Sequence, residues 1–390
     1  MIHSMLSHMP SIFRKKWPLQ LTFFVTRKCN ARCPFCFYLA GADGEPDRAE
    51  ELSLDEIEKI SASLGRLLWI AFSGGEPYLR RDMAEISKVF HDRNKPSFLL
   101  YPTNGLLPDM VSDTTEDILR TCPNSVIAVK ISIDGIGTAH DDLRMTPGGF
   151  DKALETYRRL DRLRRLYPNL ELGINTVFCS ENQDQMNAII DAVRDLEGDK
   201  THTISMVRGD LADGRYKNVD IGAYGRAIGR LESGLRNGAS DMHRFRGGRL
   251  KASQDILQRR LILRTLYEQS RVVPCYAGKL NLVLGETGEV YPCEIRRRSL
   301  GNVRNYGHDM RKLLRSRNAR AVVAALGDTP PPCHCTHECY FITNILFNLR
   351  LYPALAREYL RLSKGGVDRD RPRHPAGGID RGPSTARTGF

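Results

Sequence analysis

The sequence predicts an α/β fold built on a parallel sheet, followed by a smaller cysteine-bearing module. Three observations carry that expectation. From Leu21 onward, apolar β-rich runs alternate with longer amphipathic stretches, which is the rhythm of βα units. Most chemistry-bearing residues fall just after such a run, on the edge where parallel α/β folds bind ligands. After Arg208 the rhythm changes to a charged, glycine-interrupted helical region and then to a compact segment from Cys275 to Cys339.

Six runs read as strands: LQLTFFVT ending at Thr26, LLWIAFS at Ser73, SFLLYPT at Thr103, VIAVKISID at Asp134, LELGINTVF at Phe178 and THTISMV at Val207. Between them the pattern predicts helices over Ser53 to Leu67, Asp82 to Arg93, Asp113 to Arg120, Phe150 to Arg165 and Asn182 to Leu196. Ser53 with Glu56 three residues on makes a capping box for the first. A helical region follows, approximately Asp220 to Gln269, and FITNILFNLRLYPALAREYLRL predicts a helix pair broken near Pro353. The implied divisions are an extension over 1–20, the sheet region over 21–210, a helical linker over 211–270, the cysteine module over 271–345, a helical segment over 346–363 and a basic tail over 364–390. That tail, rich in Gly, Pro and Arg, is expected to be disordered.

A chain of 390 residues can bury a sizeable core without disulfides. Hydrophobic residues at 41% and charged residues at 27% exclude global disorder, a collagen-like chain and a multi-span membrane protein. No run reaches the roughly 18 uncharged apolar residues of a spanning helix, and the N-terminus lacks a secretory cleavage pattern, so the expected location is cytoplasmic. The net charge of +12 asks for an anionic partner without choosing among nucleic acid, a phosphorylated metabolite, an acidic peptide and an anionic lipid surface. Part of the excess sits in the tail. Ten cysteines in a compartment that keeps thiols reduced do not read as a disulfide framework, so their spacing matters more than their number.

Cys29, Cys33 and Cys36 lie in TRKCNARCPFCFY, on the loop after the first strand. Three thiolates at spacings of four and three can hold three irons of a 4Fe-4S cube and leave the fourth without a protein ligand. A zinc knuckle completed by a distant ligand is the alternative. After the second strand, Gly74 and Gly75 allow close backbone approach to a ligand, and Glu76 offers a carboxylate to an ammonium group, although a lone GGEP also makes an ordinary turn.

The ordered pair of motifs, CxxxCxxC with Phe35 before its third cysteine and then SGGEP from Ser73 to Pro77, resembles the radical S-adenosylmethionine (radical SAM) superfamily over about Leu21 to Arg208. The resemblance implies a partial (β/α)6, TIM-like barrel. It also implies an open iron that chelates the methionine end of S-adenosylmethionine, and an electron from the cluster that yields a 5'-deoxyadenosyl radical. Thr103 and Asn104 after the third strand, and Ser132 and Asp134 at the fourth, would then line the cofactor pocket, while Gly105 and Gly135 serve equally as turn residues. Arg144, in HDDLR with His140, would approach the cofactor carboxylate, with a surface salt bridge to Asp141 as the alternative. Asn175 and Arg208 are further cofactor-binding candidates, although the fifth strand departs from the GxIxGxxE form of some relatives. Cys179, beyond the fifth strand, is a candidate catalytic hydrogen donor for an epimerase-like reaction, or else a small buried cysteine, and Cys122 reads as structural.

Cys275 and Cys293 flank KLNLVLGETGEVYP, two strand-like runs around a turn, and PPCHCTHECY adds Cys333, Cys335 and Cys339. This resembles SPASM and twitch modules that hold auxiliary iron-sulfur clusters. Five thiols favour the shorter twitch type with one 4Fe-4S cluster on Cys275, Cys293, Cys335 and Cys339, with Cys333 as alternate. A structural zinc helped by His334 and His337 is the competing reading. The resemblance further implies a flavodoxin- or ferredoxin-type electron donor and an oxidoreductase or epimerase-like enzyme. The expected substrate is a small molecule (sugar, aminocyclitol or lipid). About twenty residues before the first strand are too few for a leader-peptide-binding domain, so a ribosomal peptide substrate is the alternative. The apolar terminal segments and positive charge leave peripheral membrane contact open. From a different class, a non-catalytic iron-sulfur or zinc protein would carry electrons or bind nucleic acid.

Overall fold

Uninterrupted apolar runs such as LTFFV make strands buried on both faces, and these build the centre of the molecule. The computed structural model describes residues 2–39, 50–296, 298–326 and 333–364. β1 (Gln20–Thr26), β2 (Trp69–Gly74), β3 (Phe98–Thr103), β4 (Val126–Ser132), β5 (Leu170–Phe178) and β6 (Thr201–Met206) pair in parallel, each with the next. Among the described residues β6 pairs only with β5, so the arc is an open, partial barrel. All six strands stand where the sequence predicts them.

Along β4, Ile127, Val129 and Ile131 are fully buried, while Ala128, Lys130 and Ser132 are half-buried. Alternate side chains point to opposite faces of a strand, so the first set packs under helices and the second turns to the concave side. The covering helices are α1 (Leu54–Ser63), α2 (Met83–Asn94), α3 (Pro108–Thr121), α4 (Thr138–Arg144), α5 (Gly149–Leu166) and α6 (Met186–Asp195). The Ser53 and Glu56 capping box forms as predicted, but α1 stops at Ser63 because Leu64 turns extended. α4, a short helix opened by Gly137 at φ +56, lies in a stretch with no helical prediction.

The linker region holds two helices, α7 (Ile221–Asn237) and α8 (Gly248–Glu268), parted by a segment that begins and ends in left-handed glycines, Gly238 and Gly247. The cysteine module opens with β7 (Asn281–Leu284), β8 (Glu289–Tyr291) and β9 (Gly301–Asn302). β7 pairs in parallel with β1, Leu282 opposite Leu21, so the hairpin extends the barrel sheet to nine strands. α9 (Met310–Arg315), α10 (Arg317–Ala325), α11 (Glu338–Leu346) and α12 (Tyr352–Lys364) follow. The predicted helix break falls at residues 347–351, and Pro353 sits in the first turn of α12, where a missing N–H is harmless. Among the described residues no helix is long and apolar enough to cross a membrane. The tail predicted to be disordered lies, from residue 365, outside the described residues.

Candidate active site

The C-terminal ends of β1 to β5 gather the first cysteine loop and most of the predicted cofactor residues. Cys36 donates its N–H to the carbonyl of Cys33 (3.0 Å), and Ala31 donates to the Cys29 sulfur (3.4 Å), which folds the loop tightly over the end of β1. The loop after β2 docks on it: Gly75 N–H donates to the Thr26 carbonyl and Glu76 N–H to the Lys28 carbonyl, both 2.8 Å. Two glycines are required for that approach. A Cβ on Gly74, at φ +140, would stand 2.3 Å from the Thr26 oxygen, and one on Gly75 would stand 2.1 Å from the Lys28 oxygen.

Glu76 is buried, and its carboxylate accepts from Thr103 Oγ1 (2.9 Å) and the Asn104 N–H (2.8 Å). Burial pushes its pKa up to about 7 despite those bonds. Asn104 Nδ2 donates to Asn30 (2.7 Å) and reaches the Cys29 sulfur (3.9 Å), tying the third strand end to the cysteine loop. Asp134 accepts from Arg144 Nε (2.6 Å) and the Val177 N–H (2.7 Å), with Ser132 opposite Asn175 in the ladder just below. Arg144 is therefore not the surface salt bridge to Asp141; its guanidinium lies 5.9 Å from the centre of the buried Phe35 ring. Burial pushes the Cys29 and Cys33 thiols up, Cys33 to about 11, while the charge of Arg144 pulls in the opposite sense.

Below this rim the concave side of the sheet encloses a cavity of about 310 Å³. Phe35, Ser73, Asn175 and Arg208 line its upper part, and Trp69, Lys130 and His243 lie deeper. Arg208 pairs with Glu338 of α11 (2.6 Å), and Asn175 accepts from Ser205 (3.1 Å). Of the two readings of Cys179, its position agrees with the small buried cysteine. It is fully buried, its sulfur faces Asn182 (3.6 Å) within the hydrophobic core, and it does not line the cavity, so it is not placed to give hydrogen to a substrate there. Cys122 is buried in the same core, as predicted for a structural cysteine.

In the second cluster, burial pushes the Cys335 thiol far up, and the charges of Cys293, Cys275 and Cys333 push in the same direction. Cys335 thus feels the other three thiols. Cys339 packs on Ala277, Cys293 and Tyr340 but also lines the main cavity. Both Cys333 and Cys339 therefore lie near the other three thiols. His337 has both ring nitrogens engaged, one 2.7 Å from Glu294 and the other capping α11 through the Cys339 N–H, and His334 is exposed. Among the described residues, no three His, Cys, Asp or Glu side chains close around a single-ion site. Zinc would require donors at about 2.3 Å from one centre, whereas a cube spreads its thiolates over separate irons. With His337 engaged elsewhere, the donors grouped in each cluster are thiols, the donor chemistry of an iron-sulfur cube.

Sequence reasoning did not single out Glu294, Glu338, Lys130 or Arg259, although all line the cavity. A signal existed for one of them: Lys130 is the single charge in the apolar strand VIAVKIS.

Residues 23–193 match the family model of the Radical SAM superfamily. The AdoMet-dependent heme synthase of Methanosarcina barkeri is 27% identical over 304 residues, 74% of this chain and 80% of that protein. The antilisterial bacteriocin subtilosin biosynthesis protein AlbA of Bacillus subtilis is 26% identical over 293 residues, 73% of this chain but only 57% of that protein. Streptococcus suis SuiB, solved bound to S-adenosylmethionine, superposes with a TM-score of 0.57 at 15% identity, covering 82% of this chain and 72% of that one, which is a likeness of fold. The family match runs from β1 through the cysteine loop and the Gly-Gly-Glu turn to α6, and over these residues the chain is similar to the Radical SAM superfamily.

Proposed function

We propose that Cys29, Cys33 and Cys36 hold the 4Fe-4S cluster of a radical SAM enzyme, that the rim residues hold S-adenosylmethionine, and that a compact organic substrate occupies the cavity below. Cluster and cofactor together supply reductive cleavage to a 5'-deoxyadenosyl radical able to abstract hydrogen from an unactivated C–H bond. The observation that carries this reading is the convergence of the three-cysteine loop, buried Glu76 and the Asp134–Arg144 pair on the strand ends, beside the cavity that Phe35, Ser73 and Asn175 line. Glu76 accepts from the cofactor's ammonium group, and Thr103 and Asn104 hold its carboxylate in place. Arg144 favours the thiolate forms that iron needs, and Phe35 shields the mouth from water. Gly74, Gly75, Ser132, Asn175 and Arg208 shape the wall around the cofactor. Cys275, Cys293, Cys335 and Cys339, with Cys333 as alternate, hold the auxiliary 4Fe-4S cluster, and a flavodoxin- or ferredoxin-type protein donates the electron.

The cavity volume supports a small substrate and a dehydrogenation or related modification. Similarity to AlbA over 73% of the chain favours a second reading, maturation of a ribosomal peptide. Anaerobically reconstituted protein with dithionite should release 5'-deoxyadenosine and carry about eight irons per chain. Changing Cys29, Cys33 and Cys36 to Ala should abolish the product and leave about four irons, whereas changing Cys275 and Cys335 should spare some uncoupled product. Wild-type protein that makes no 5'-deoxyadenosine rules the reading out. Modification of a peptide, but of no small molecule, selects the second reading.

A further inference from the structure

Two cations in the middle of the cavity make no direct ion pair, although Asp255 lies on the same wall. Lys130 extends from β4 into the lumen, where its ammonium donates to Thr203 Oγ1 (2.6 Å). Arg259 reaches in from α8 and donates Nη2 to the His202 carbonyl (3.0 Å), while its Nη1 is buried with no acceptor. Among the described residues, neither cation has a carboxylate at ion-pair distance. The other charges of the wall are engaged: Arg208 with Glu338, His243 and Lys251 with Asp255, His337 with Glu294, and Asp241 with Lys200. Glu171, at the base, accepts from the N–H groups of Arg244 and Phe245, and burial raises its pKa to about 7. Burial first, then the charge of Lys251, pulls Lys130 down to about 8, against the opposing charges of Asp255 and Cys339.

Burying a cation without a directly paired counter-ion is costly, and an unpaired guanidinium N–H in a roomy, mostly apolar cavity is a vacant donor. We propose that the substrate carries an anionic oxygen group, a carboxylate or a phosphate, that seats between Lys130 and Arg259. The inference rests on the reading of the cavity as the substrate site and narrows its substrate class. Arg259 supplies a directed donor and Lys130 a point charge, the pairing suited to a planar or tetrahedral anion. Lys130 stands four residues below Asp134, about 13 Å along the strand, so a compact molecule anchored there extends toward the rim.

The test is calorimetric titration of anaerobically reconstituted full-length protein with malonate and, separately, inorganic phosphate, against potassium chloride at matched ionic strength. Saturable binding of malonate identifies a carboxylate seat, and of phosphate a phosphate seat. Lys130→Met and Arg259→Gln should each weaken it about tenfold or more. Lys130→Met, which removes the buried charge, should also melt at a higher temperature than wild type in chloride alone. The inference is overturned if neither anion binds beyond chloride, or if both variants bind as wild type does. Anion binding without 5'-deoxyadenosine production would remove the radical reading and leave the seat standing; the converse would remove the seat alone.

Discussion

Glu76 shows how one side chain can be legible in sequence and yet have a property only the fold supplies. SGGEP announces a carboxylate after the second strand, but burial is what lifts its pKa from 4.5 to about 7, against the bonds from Asn104 and Thr103. A raised carboxylate pKa favours folding below pH 4.5, and that advantage is lost as pH rises through about 7. Relative to Glu76→Gln, the wild type should lose about 3 kcal/mol of stability across that window, read by urea unfolding at successive pH values. S-adenosylmethionine, bringing an ammonium group, should then stabilise the wild type more at pH 8 than at pH 6. A stability difference that is flat with pH would show that Glu76 is not held in this buried state. The rim residues were readable because each lies within a short motif. Lys130 and Arg259 were not, since their partners come from segments far away in the chain, as in the approach of Arg259 to His202.

At the scale of elements, strand ends were the most legible feature. Apolar runs bounded by Gly, Pro and Asn mark where β1 to β6 stop, and the stops put the site residues on one edge. Helix limits were less legible: α4 has too few residues to show a period, and α7 and α8 read as one region until Gly238 and Gly247 take left-handed backbone. The contact between the β2 loop and the cysteine loop is the element-level device on which the site depends. Gly75→Ala places a methyl carbon 2.1 Å from a carbonyl oxygen of the cysteine loop, and backbone cannot yield as a flexible side chain does. The two loops must part. The variant should keep its far-ultraviolet circular dichroism but retain less iron on the first cluster and bind S-adenosylmethionine about tenfold or more weakly, measured by iron analysis and equilibrium binding. Full iron content with unchanged affinity would mean that the loop contact does not organise the site.

For the molecule as a whole, the sequence divides into a barrel and an appended module, but the sheet does not respect that division. Register between Leu21 and Leu282 is a pairing of residues far apart in sequence, carried by no motif in either segment, and so it could not be read in advance. Its consequence is mechanical. β1 holds the first cysteine loop at its end, and β7 covers the edge of β1 that would otherwise present unpaired N–H and C=O groups. Arg304 and His308 from the module also bind Glu56 at the start of α1, at 2.7 and 3.0 Å. Both links tie the auxiliary cysteines to the barrel, so the two regions should unfold as one cooperative unit. A chain ending at Gln269 would expose the β1 edge together with Leu21 and Phe23, and is expected to be insoluble or oligomeric. Full-length protein should instead show a single thermal transition by calorimetry. A monomeric 1–269 fragment with native near-ultraviolet circular dichroism, or two separate transitions in the full chain, would show that the barrel stands without its neighbour and that β7 merely rests against it.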